Sequence, residues 1–234
     1  TGFISNKKPT ISARFRDVGA HPSGYGKTTE FMIDKGLAGE RNLLPPTTQP
    51  AQNEPIGNIT ADITADLAEG QRKVDIKAED FAHNSFSMSW TFFVDTVKPS
   101  APGAITVTPS SAMSAQPKPI IAWAAATDPG FADTPQTGSG IGSYKAEIWS
   151  TGLAPERVLG PYTIDAGAPQ PWQFPDALTA DGQYKIRLWA VDRAGNESAT
   201  PSEHNYWLDS VSPTLDNESP TGATNNTWPT LSVR

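Results

Sequence analysis

The stretch "DGQYKIRLWAVDRAGNES", residues 181–198, decides the fold of this chain. Apolar and polar side chains alternate along it, so that one face carries Tyr184, Ile186, Leu188 and Ala190. A period of two over this length is typical of a β-strand with one buried face and one solvated face. Such strands occur mainly in antiparallel sheets. The stretch therefore predicts a strand of an antiparallel sheet.

The end of this stretch predicts a tight corner. Asp192 closes the strand, and Ala194-Gly195-Asn196 reverses the chain toward the next strand. A short Asp side chain accepts hydrogen bonds from turn N–H groups, and Gly or Asn supplies a positive φ. Turn chemistry alone accounts for Asp192, Gly195 and Asn196.

The chain repeats itself at the scale of a domain. Residues 67–85 match residues 178–198, and "KPTISAR" (8–14) matches "KPIIAWA" (118–124) and "WPTLSVR" (228–234). The spacing of about 110 residues is that of a whole module, not of a short solenoid unit. We expect module 1 at 1–96, module 2 at 97–211, and the start of a third module at 212–234. The alternative for 212–234 is a natural C-terminus with a trailing tail.

Module 1 departs from module 2 at two positions of the matched stretch. Arg72 stands where module 2 has Tyr184, so this corner must be fixed differently or be looser. Asp80 matches Asp192, but His83 replaces the Gly of the turn. We expect Asn84 to take the left-handed conformation there.

Composition excludes several classes of function. Cysteine is absent, which excludes disulfides, thiolate metal sites and cysteine nucleophiles. A net charge of −7 argues against nucleic-acid partners, because phosphates require a basic surface. No apolar run approaches the roughly 18 residues of a membrane span. The 22 Pro and 19 Gly residues favour short strands and frequent turns.

The repeated pattern resembles the bacterial Ig-like and fibronectin-III-like repeats of surface and secreted proteins. The residues that carry the resemblance are Pro119, Ser139-Gly140-Ile141, Tyr144, Leu178, Gly182, Tyr184, Asp192, Ala194-Gly195-Asn196, and Asp209 to Pro213. The resemblance implies an all-β fold of tandem immunoglobulin-like β-sandwich modules, with a tyrosine corner at Tyr184. It also implies an extracellular or cell-surface location, with neighbouring modules as partners.

A calcium site between modules is the second interpretation of the corner. In this interpretation Asp192 and linker residues such as Asp209 bind Ca²⁺ between modules. The resemblance supports it, because some bacterial Ig-like arrays are stiffened by calcium at their junctions. Calcium needs 6–8 oxygen ligands, and the sequence has no dense loop of acidic residues like an EF-hand. Both interpretations stay open here, and the sequence indicates no other cofactor.

No arrangement of residues in the sequence predicts catalysis. The three histidines are His21, His83 and His204, and none has a matched partner across the repeats. A catalytic triad needs Ser, His and Asp in contact, and glycoside hydrolysis needs two acids flanking a cleft. We expect a protein that is not an enzyme.

Three tryptophans of module 2 occupy outward-facing strand positions. Trp149, Trp189 and Trp207 belong to strands that are neighbours in an immunoglobulin-like sheet, so an aromatic stripe on the outer face is expected. Exposed indoles suit sugar faces or a partner protein. The alternatives are that segment 150–176, which includes Trp172, folds over them, or that Lys185 and Arg187 cover them.

The sequence favours a non-enzymatic structural or adhesive spacer in a bacterial surface or secreted array. One alternative is a carbohydrate-binding accessory module that uses the three tryptophans. Another is a filament subunit, in which residues 212–234 complete the sheet of a neighbouring molecule.

Overall fold

A computed structural model describes residues 2–111, 113–130 and 138–214, and all regular structure in them is β. Module 1 contains β1 (Phe3–Ile4), β2 (Thr10–Arg16), β3 (Tyr25–Ile33), β4 (Arg41–Asn42), β5 (Ile56–Asp62), β6 (Gly70–Asp80) and β7 (Ser85–Val94). Module 2 contains β8 (Ile105–Thr108), β9 (Ile120–Trp123), β10 (Ile141–Ser150), β11 (Arg157–Asp165), β12 (Trp172–Gln173), β13 (Gly182–Asp192) and β14 (Ser202–Leu208). No helix in these ranges is long and apolar enough to cross a membrane.

Each module is a sandwich of two sheets. In module 1 a five-stranded sheet, β1-β7-β6-β3-β4, faces the pair β2-β5. In module 2 a four-stranded sheet, β11-β10-β13-β14, faces the three-stranded sheet β12-β9-β8. The neighbours are antiparallel except for β1, which joins β7 in parallel. No sheet in the described ranges contains strands of both modules. The expectation of an all-β fold of sandwich modules is confirmed.

Side chains predicted to face inward form two separate cores. The alternating strand β13 buries Tyr184, Ile186, Leu188 and Ala190, as its period of two indicates. Its counterpart β6 buries Val74, Ile76 and Ala78 in the core of module 1. Apolar burial of this kind is the main favourable term that holds each sandwich together.

The corners that precede β13 and β6 are stabilised by hydrogen bonds from a side chain to a backbone carbonyl. The side chain that donates the bond differs between the two modules. Tyr184 donates its hydroxyl to the carbonyl of Ala180 at 2.6 Å, which is the expected tyrosine corner. In module 1 the Arg72 guanidinium donates to the carbonyl of Glu69 at 3.0 Å and to the Asp34 carboxylate at 2.9 Å. Arg72 thus replaces the tyrosine with a buried ion pair.

The turns after β6 and β13 have the predicted hydrogen bonds. The Asp192 carboxylate accepts the Asn196 backbone N–H at 2.8 Å, and the Asp80 carboxylate accepts that of Asn84 at 2.7 Å. Gly195 has a φ of +93°. The expectation for Asn84 was wrong, because His83 takes the left-handed position with a φ of +66°. His83 occupies the place of Gly195, and its side chain is exposed there.

The described residues end at 214, so the expected third module at 212–234 lies almost entirely outside them.

Candidate metal centre

A buried acid lies at the point where the chain leaves module 1. Asp95 follows β7 directly, and its side chain is 0% exposed. Its carboxylate accepts the backbone N–H of Val97 at 3.1 Å and that of Ser139, in module 2, at 2.7 Å. Its backbone carbonyl accepts the side-chain amide of Asn196 at 2.8 Å. One linker residue therefore bonds to two loops of the next module.

Two acids of module 2 face Asp95 across the junction. Asp192 is buried at the end of β13, and Asp128 lies in the loop that follows β9. One carboxylate oxygen of Asp128 accepts the Gly140 N–H at 2.6 Å. The other oxygen, Oδ1, is buried and has no hydrogen-bond partner among the described residues.

The three carboxylates form a compact negative cluster. One oxygen from each of Asp95, Asp128 and Asp192 lies within 4.8 Å of the other two. None of the three forms an ion pair with a Lys or Arg in the described ranges, in contrast to the buried Asp34. Burial raises the pKa of Asp128, and the charges of Asp95 and Asp192 raise it further. The cluster is therefore short of positive charge.

The cluster offers three of the six to eight oxygen ligands that a calcium ion takes. Calcium binds oxygen at about 2.3–2.6 Å, so ligands on opposite sides of the ion are about 5 Å apart. Three carboxylate oxygens within 4.8 Å of one another can all contact one such ion. The orphaned Oδ1 of Asp128 would gain the partner that a buried oxygen requires. Asp95, Asp128 and Asp192 are the residues that would hold the ion, and hard carboxylate oxygens are ligands of the type that calcium prefers.

Module 1 carries two of the three acids at matching places. Asp17 accepts the Gly24 N–H at 2.8 Å, just as Asp128 accepts that of Gly140. Asp80 matches Asp192, with the same bonds from the Asn four residues later. The acids therefore recur with the repeat. A full set consists of one acid in a linker, then one acid in a loop and one acid at the end of a strand in the module that follows that linker.

The predicted pairing of Asp192 with Asp209 requires a correction. Gly182 pairs with Leu208, so Asp209 lies beside the start of β13 whereas Asp192 ends it. Ten residues of extended strand separate the two ends by about 33 Å. Asp209 is exposed and occupies, after β14, the place that Asp95 has after β7. Asp192 therefore meets the acid of the linker that precedes its module.

Asp95 and Asp128 were absent from the sequence-based prediction of the site. The repeat contained a signal for Asp95, because "VDTVKP" and "LDSVSP" place Asp95 and Asp209 at matching positions. The direction of the strands decides whether a linker acid lies at the same end of a module as the strand-end acid. The sequence signal for Asp128 is limited to its place in a loop, where module 1 has Asp17 at the matching position.

The three predicted tryptophans lie on the outer face of the four-stranded sheet of module 2. Trp149 is on β10, Trp189 on β13 and Trp207 on β14, which are adjacent strands. Cations separate them, because Trp149 pairs with Lys185 and Trp189 pairs with Lys145 in the strand register. The indoles alternate with basic residues and do not form a continuous stripe.

Two of these indoles are covered by cations of the same sheet. The Lys145 ammonium lies 4.3 Å from the ring centre of Trp189, and the Arg187 guanidinium 4.9 Å from that of Trp149. Segment 150–176 does not fold over them. Its Trp172 lies in β12 of the opposite sheet and packs against Phe174. The covering groups are the basic side chains, which gain cation–π attraction.

Trp207 is the most exposed of the three, at 36%. It borders an open groove of about 630 Å³ between β8 and β14, lined also by Gln183, His204 and Asn205. Its neighbours can donate and accept hydrogen bonds.

Glu203 accepts hydrogen bonds from two basic residues on the outer face of the four-stranded sheet. Hydrogen bonds from Lys185 and Arg187, both 2.9 Å long, and their charges lower the pKa of Glu203 below 4.5. A carboxyl whose pKa is lower in the folded state stabilises the fold above its unfolded pKa, and this contribution is lost as the pH falls through the folded value.

We therefore expect Glu203→Gln to destabilise module 2 by less than about 1 kcal/mol at pH 7, since the ion pairs are partly exposed. The difference from the unchanged protein should shrink below about pH 4.5, where the unfolded-state carboxyl becomes protonated. Urea titrations at pH 7 and pH 3.5 measure both values. A difference that grows toward pH 3.5 would contradict this account of the face.

Comparison with known proteins finds structural neighbours of this chain. No family model matches the chain, and no curated protein does. The fibronectin(III)-like modules of CbhA from Clostridium thermocellum share 15% identity at a TM-score of 0.43, over 88% of this chain and 87% of that one. The FN1–FN3 domains of chicken CNTN1 share 17% identity at a TM-score of 0.44, over 89% and 65%.

A bacterial adhesin is also similar in structure. It is a Ca²⁺-stabilised, ice-binding adhesin from an Antarctic bacterium, with 17% identity and a TM-score of 0.32, over 92% of this chain and 47% of that one. All three TM-scores are below 0.5, so the assignment of the fold rests on the strand order of the two modules themselves.

Proposed function

We propose that this chain is a non-enzymatic spacer segment of a tandem array of Ig-like modules, exposed outside the cell, whose junctions are fixed by calcium. The observation that carries the proposal is the cluster of Asp95, Asp128 and Asp192 at the boundary between the modules. A spacer has to hold its modules apart in a defined direction, and that requires a joint that resists bending.

Hydrogen bonds to Asp95 supply part of this joint. They attach the linker to the loop at Ser139 and to the turn at Asn196, and both are buried or half-buried. The carboxylate cluster opposes the same arrangement, because three like charges repel one another at short range. A bound Ca²⁺ would convert this repulsion into a crosslink between the linker and two loops of module 2.

Residual dipolar couplings of residues 1–234, measured in calcium and in EDTA, test the proposed function. With calcium, β6 and β13 should report one common alignment tensor, because the modules then tumble as one body. In EDTA, the two tensors should differ in magnitude as the joint loosens. Two independent tensors in both solutions would exclude a fixed spacer.

A carbohydrate-binding module is supported less well by the same surface. Only Trp207 remains accessible for stacking on a sugar, since Lys145 and Arg187 cover the other two indoles. Residues 212–234, on which the filament alternative depends, lie almost wholly outside the described ranges.

We expect soluble polysaccharides to leave the tryptophan emission of the chain unchanged. The covered indoles should emit at short wavelength before any titration, because they are shielded from water. The control is Trp207→Ala, which should reduce the long-wavelength part of the emission. A saturable shift that Trp207→Ala abolishes would instead establish a glycan site.

A further inference from the structure

One side-chain amide lies between the two modules at the candidate metal centre. The Asn196 Nδ2 group donates to the Asp192 carboxylate at 2.7 Å and to the backbone carbonyl of Asp95 at 2.8 Å. An Asn amide carries two N–H hydrogens, so each of these acceptors takes one of them. The first acceptor belongs to module 2, and the second belongs to the linker that leaves module 1. Asn196 therefore connects two of the three acids of the cluster.

The acceptors around Asn196 decide which atom of its amide points at them. Both are oxygens, and an amide oxygen in the same place would face them without a hydrogen between. The hydrogen-bond network therefore assigns the nitrogen to this position. Calcium takes oxygen ligands, so the group that Asn196 presents to Asp192 and Asp95 can orient ligands but cannot be one.

On the module 2 side, Asn196 holds the Asp192 carboxylate at both oxygens. Its backbone N–H donates to Oδ1 at 2.8 Å, and its Nδ2 group donates to Oδ2 at 2.7 Å. The Asp192 N–H closes the turn by donating to the carbonyl of Asn196 at 3.0 Å. Two bonds fix the plane of the carboxylate, and each oxygen keeps a lone pair for an ion. Asp192 is thus oriented before any ion binds.

On the module 1 side, the carbonyl that Asn196 binds belongs to an anchored residue. The Asp95 N–H donates to the carbonyl of Ile4 at 2.9 Å, which continues the pairing of β1 with β7. The next residue, Thr96, donates its hydroxyl to Glu69, a buried acid at the corner before β6. The Asp95 carbonyl therefore has a fixed place relative to module 1. A bond to this carbonyl sets the separation between Asp95 and Asp192.

Module 1 contains the same turn without the second bond. Asn84 donates its backbone N–H and its Nδ2 group to the Asp80 carboxylate, each at 2.7 Å. The contribution of the Asn side chain to the turn is therefore the same in both modules. Of these two turns, as the structure describes them, only that of Asn196 adds a bond across the module boundary.

We propose that Asn196 is a positioning residue of the calcium junction, whose amide sets the calcium affinity by holding Asp95 and Asp192 at the separation that the ion requires. The inference rests on the proposed calcium junction. Three carboxylates repel one another when no ion is present. The two donated hydrogens offset part of this repulsion and keep the linker ordered, so that calcium binding requires less ordering.

Isothermal titration of calcium chloride into residues 1–234 tests this inference. Asn196→Ala should weaken calcium binding by about 10–100-fold, the usual effect of removing a group that orients a metal ligand. Asn84→Ala is the matched control, since it removes the same side-chain bond to a turn carboxylate but no bond across the boundary. It should bind calcium with the affinity of the unchanged protein.

Asn196→Asp separates a positioning role from a ligand role. The new carboxylate has the size of the amide, but it donates no hydrogen and faces the Asp192 carboxylate with a like charge. This variant should therefore bind calcium at least as weakly as Asn196→Ala. A ligand role predicts the opposite, because an added carboxylate is a stronger calcium ligand than an amide oxygen.

The side-chain amide resonances supply a readout that does not depend on calcium binding. In the calcium-free protein, both Nδ2 proton resonances of Asn196 should lie downfield, because both hydrogens are bonded. Only one of the two Nδ2 proton resonances of Asn84 should do so. A single downfield resonance for Asn196 would contradict the bond across the boundary.

Failure of this inference is distinguishable from failure of the proposed function. If the unchanged protein binds no calcium, the proposed function fails and this inference fails with it. If the unchanged protein binds calcium and Asn196→Ala binds it equally well, this inference alone is wrong. Binding by Asn196→Asp that is as tight as that of the unchanged protein would make Asn196 a ligand and exclude the positioning role.

Discussion

Replacing Asp95 with Asn should abolish the thermal stabilisation that calcium gives this chain. At a calcium concentration a hundred times the dissociation constant, the unchanged protein should gain about 2.7 kcal/mol. For a module of this size the gain corresponds to a rise in melting temperature of roughly 10–20 °C. Asp95 is the only one of the three acids that comes from the linker. Without its charge the ion loses the ligand that joins the modules.

The measured quantity is the difference between melting temperatures in calcium and in EDTA. This difference is independent of the cost of placing Asn opposite the N–H groups of Val97 and Ser139. Asp209→Asn is the matched control, because Asp209 holds the same place in the repeat but lies far from the cluster. It should retain the full calcium response. An unchanged response in the Asp95 variant would contradict the junction site.

The effect of Asp128→Asn on the melting temperature should have opposite signs in EDTA and in calcium. In EDTA at pH 7 the substitution should raise the melting temperature, since burial and the charges of Asp95 and Asp192, which raise the pKa of Asp128, disfavour its charged form in the folded state. This gain should disappear as the pH falls toward 3.8, where the carboxyl of the unfolded chain also binds a proton. In calcium the same change should lower the melting temperature, because a ligand is lost.

Arg72→Met should destabilise module 1 by about 3 kcal/mol, because it leaves a buried carboxylate without its cation. The side chains of Arg72 and Asp34 are 14% and 4% exposed, so solvent cannot replace the lost partner. Asp34 keeps one bond, from the N–H of Lys73 at 2.9 Å. The carbonyl of Glu69 loses its bond as well. For a module of this size the melting temperature should fall by roughly 10–20 °C.

Methionine methyl resonances followed on heating separate the two modules, since Met32 lies in module 1 and Met113 in module 2. The Met32 signal should collapse at a lower temperature in the variant, with the Met113 signal unaffected. Tyr184→Phe is the control for the other corner and should cost module 2 only about 1 kcal/mol, the value of one neutral hydrogen bond. Equal losses in the two modules would contradict the role of Arg72.

Strand alternation made much of the fold predictable from sequence. The buried faces of β6 and β13 follow directly from a period of two, since a strand offers its alternate side chains to the core. The bonds of Asp192 to its turn were predictable because they involve residues within four positions of each other. The corner at Tyr184 was expected from the resemblance to Ig-like repeats. His83 was mispredicted because an exposed residue tolerates a positive φ at modest cost where no neighbour competes for the space.

The site was less accessible to sequence reasoning, because it is built by residues far apart in the chain. Asp95 and Asp192 are brought together by the direction of β13 and by the path of the linker, and neither is visible in a local pattern. The covering of Trp149 and Trp189 has a similar origin. Whether Lys145 or Arg187 lies over a ring depends on strand register, which sequence alone leaves undetermined.

The most direct test of the calcium junction is a crystal structure of residues 1–234 grown with calcium chloride, with anomalous scattering measured at long wavelength. We expect an anomalous peak between Asp95, Asp128 and Asp192, at about 2.3–2.6 Å from an oxygen of each. Both modules should then appear in one orientation in every copy in the crystal. An ordered junction at saturating calcium, with the three carboxylates as described and no peak between them, would contradict the account.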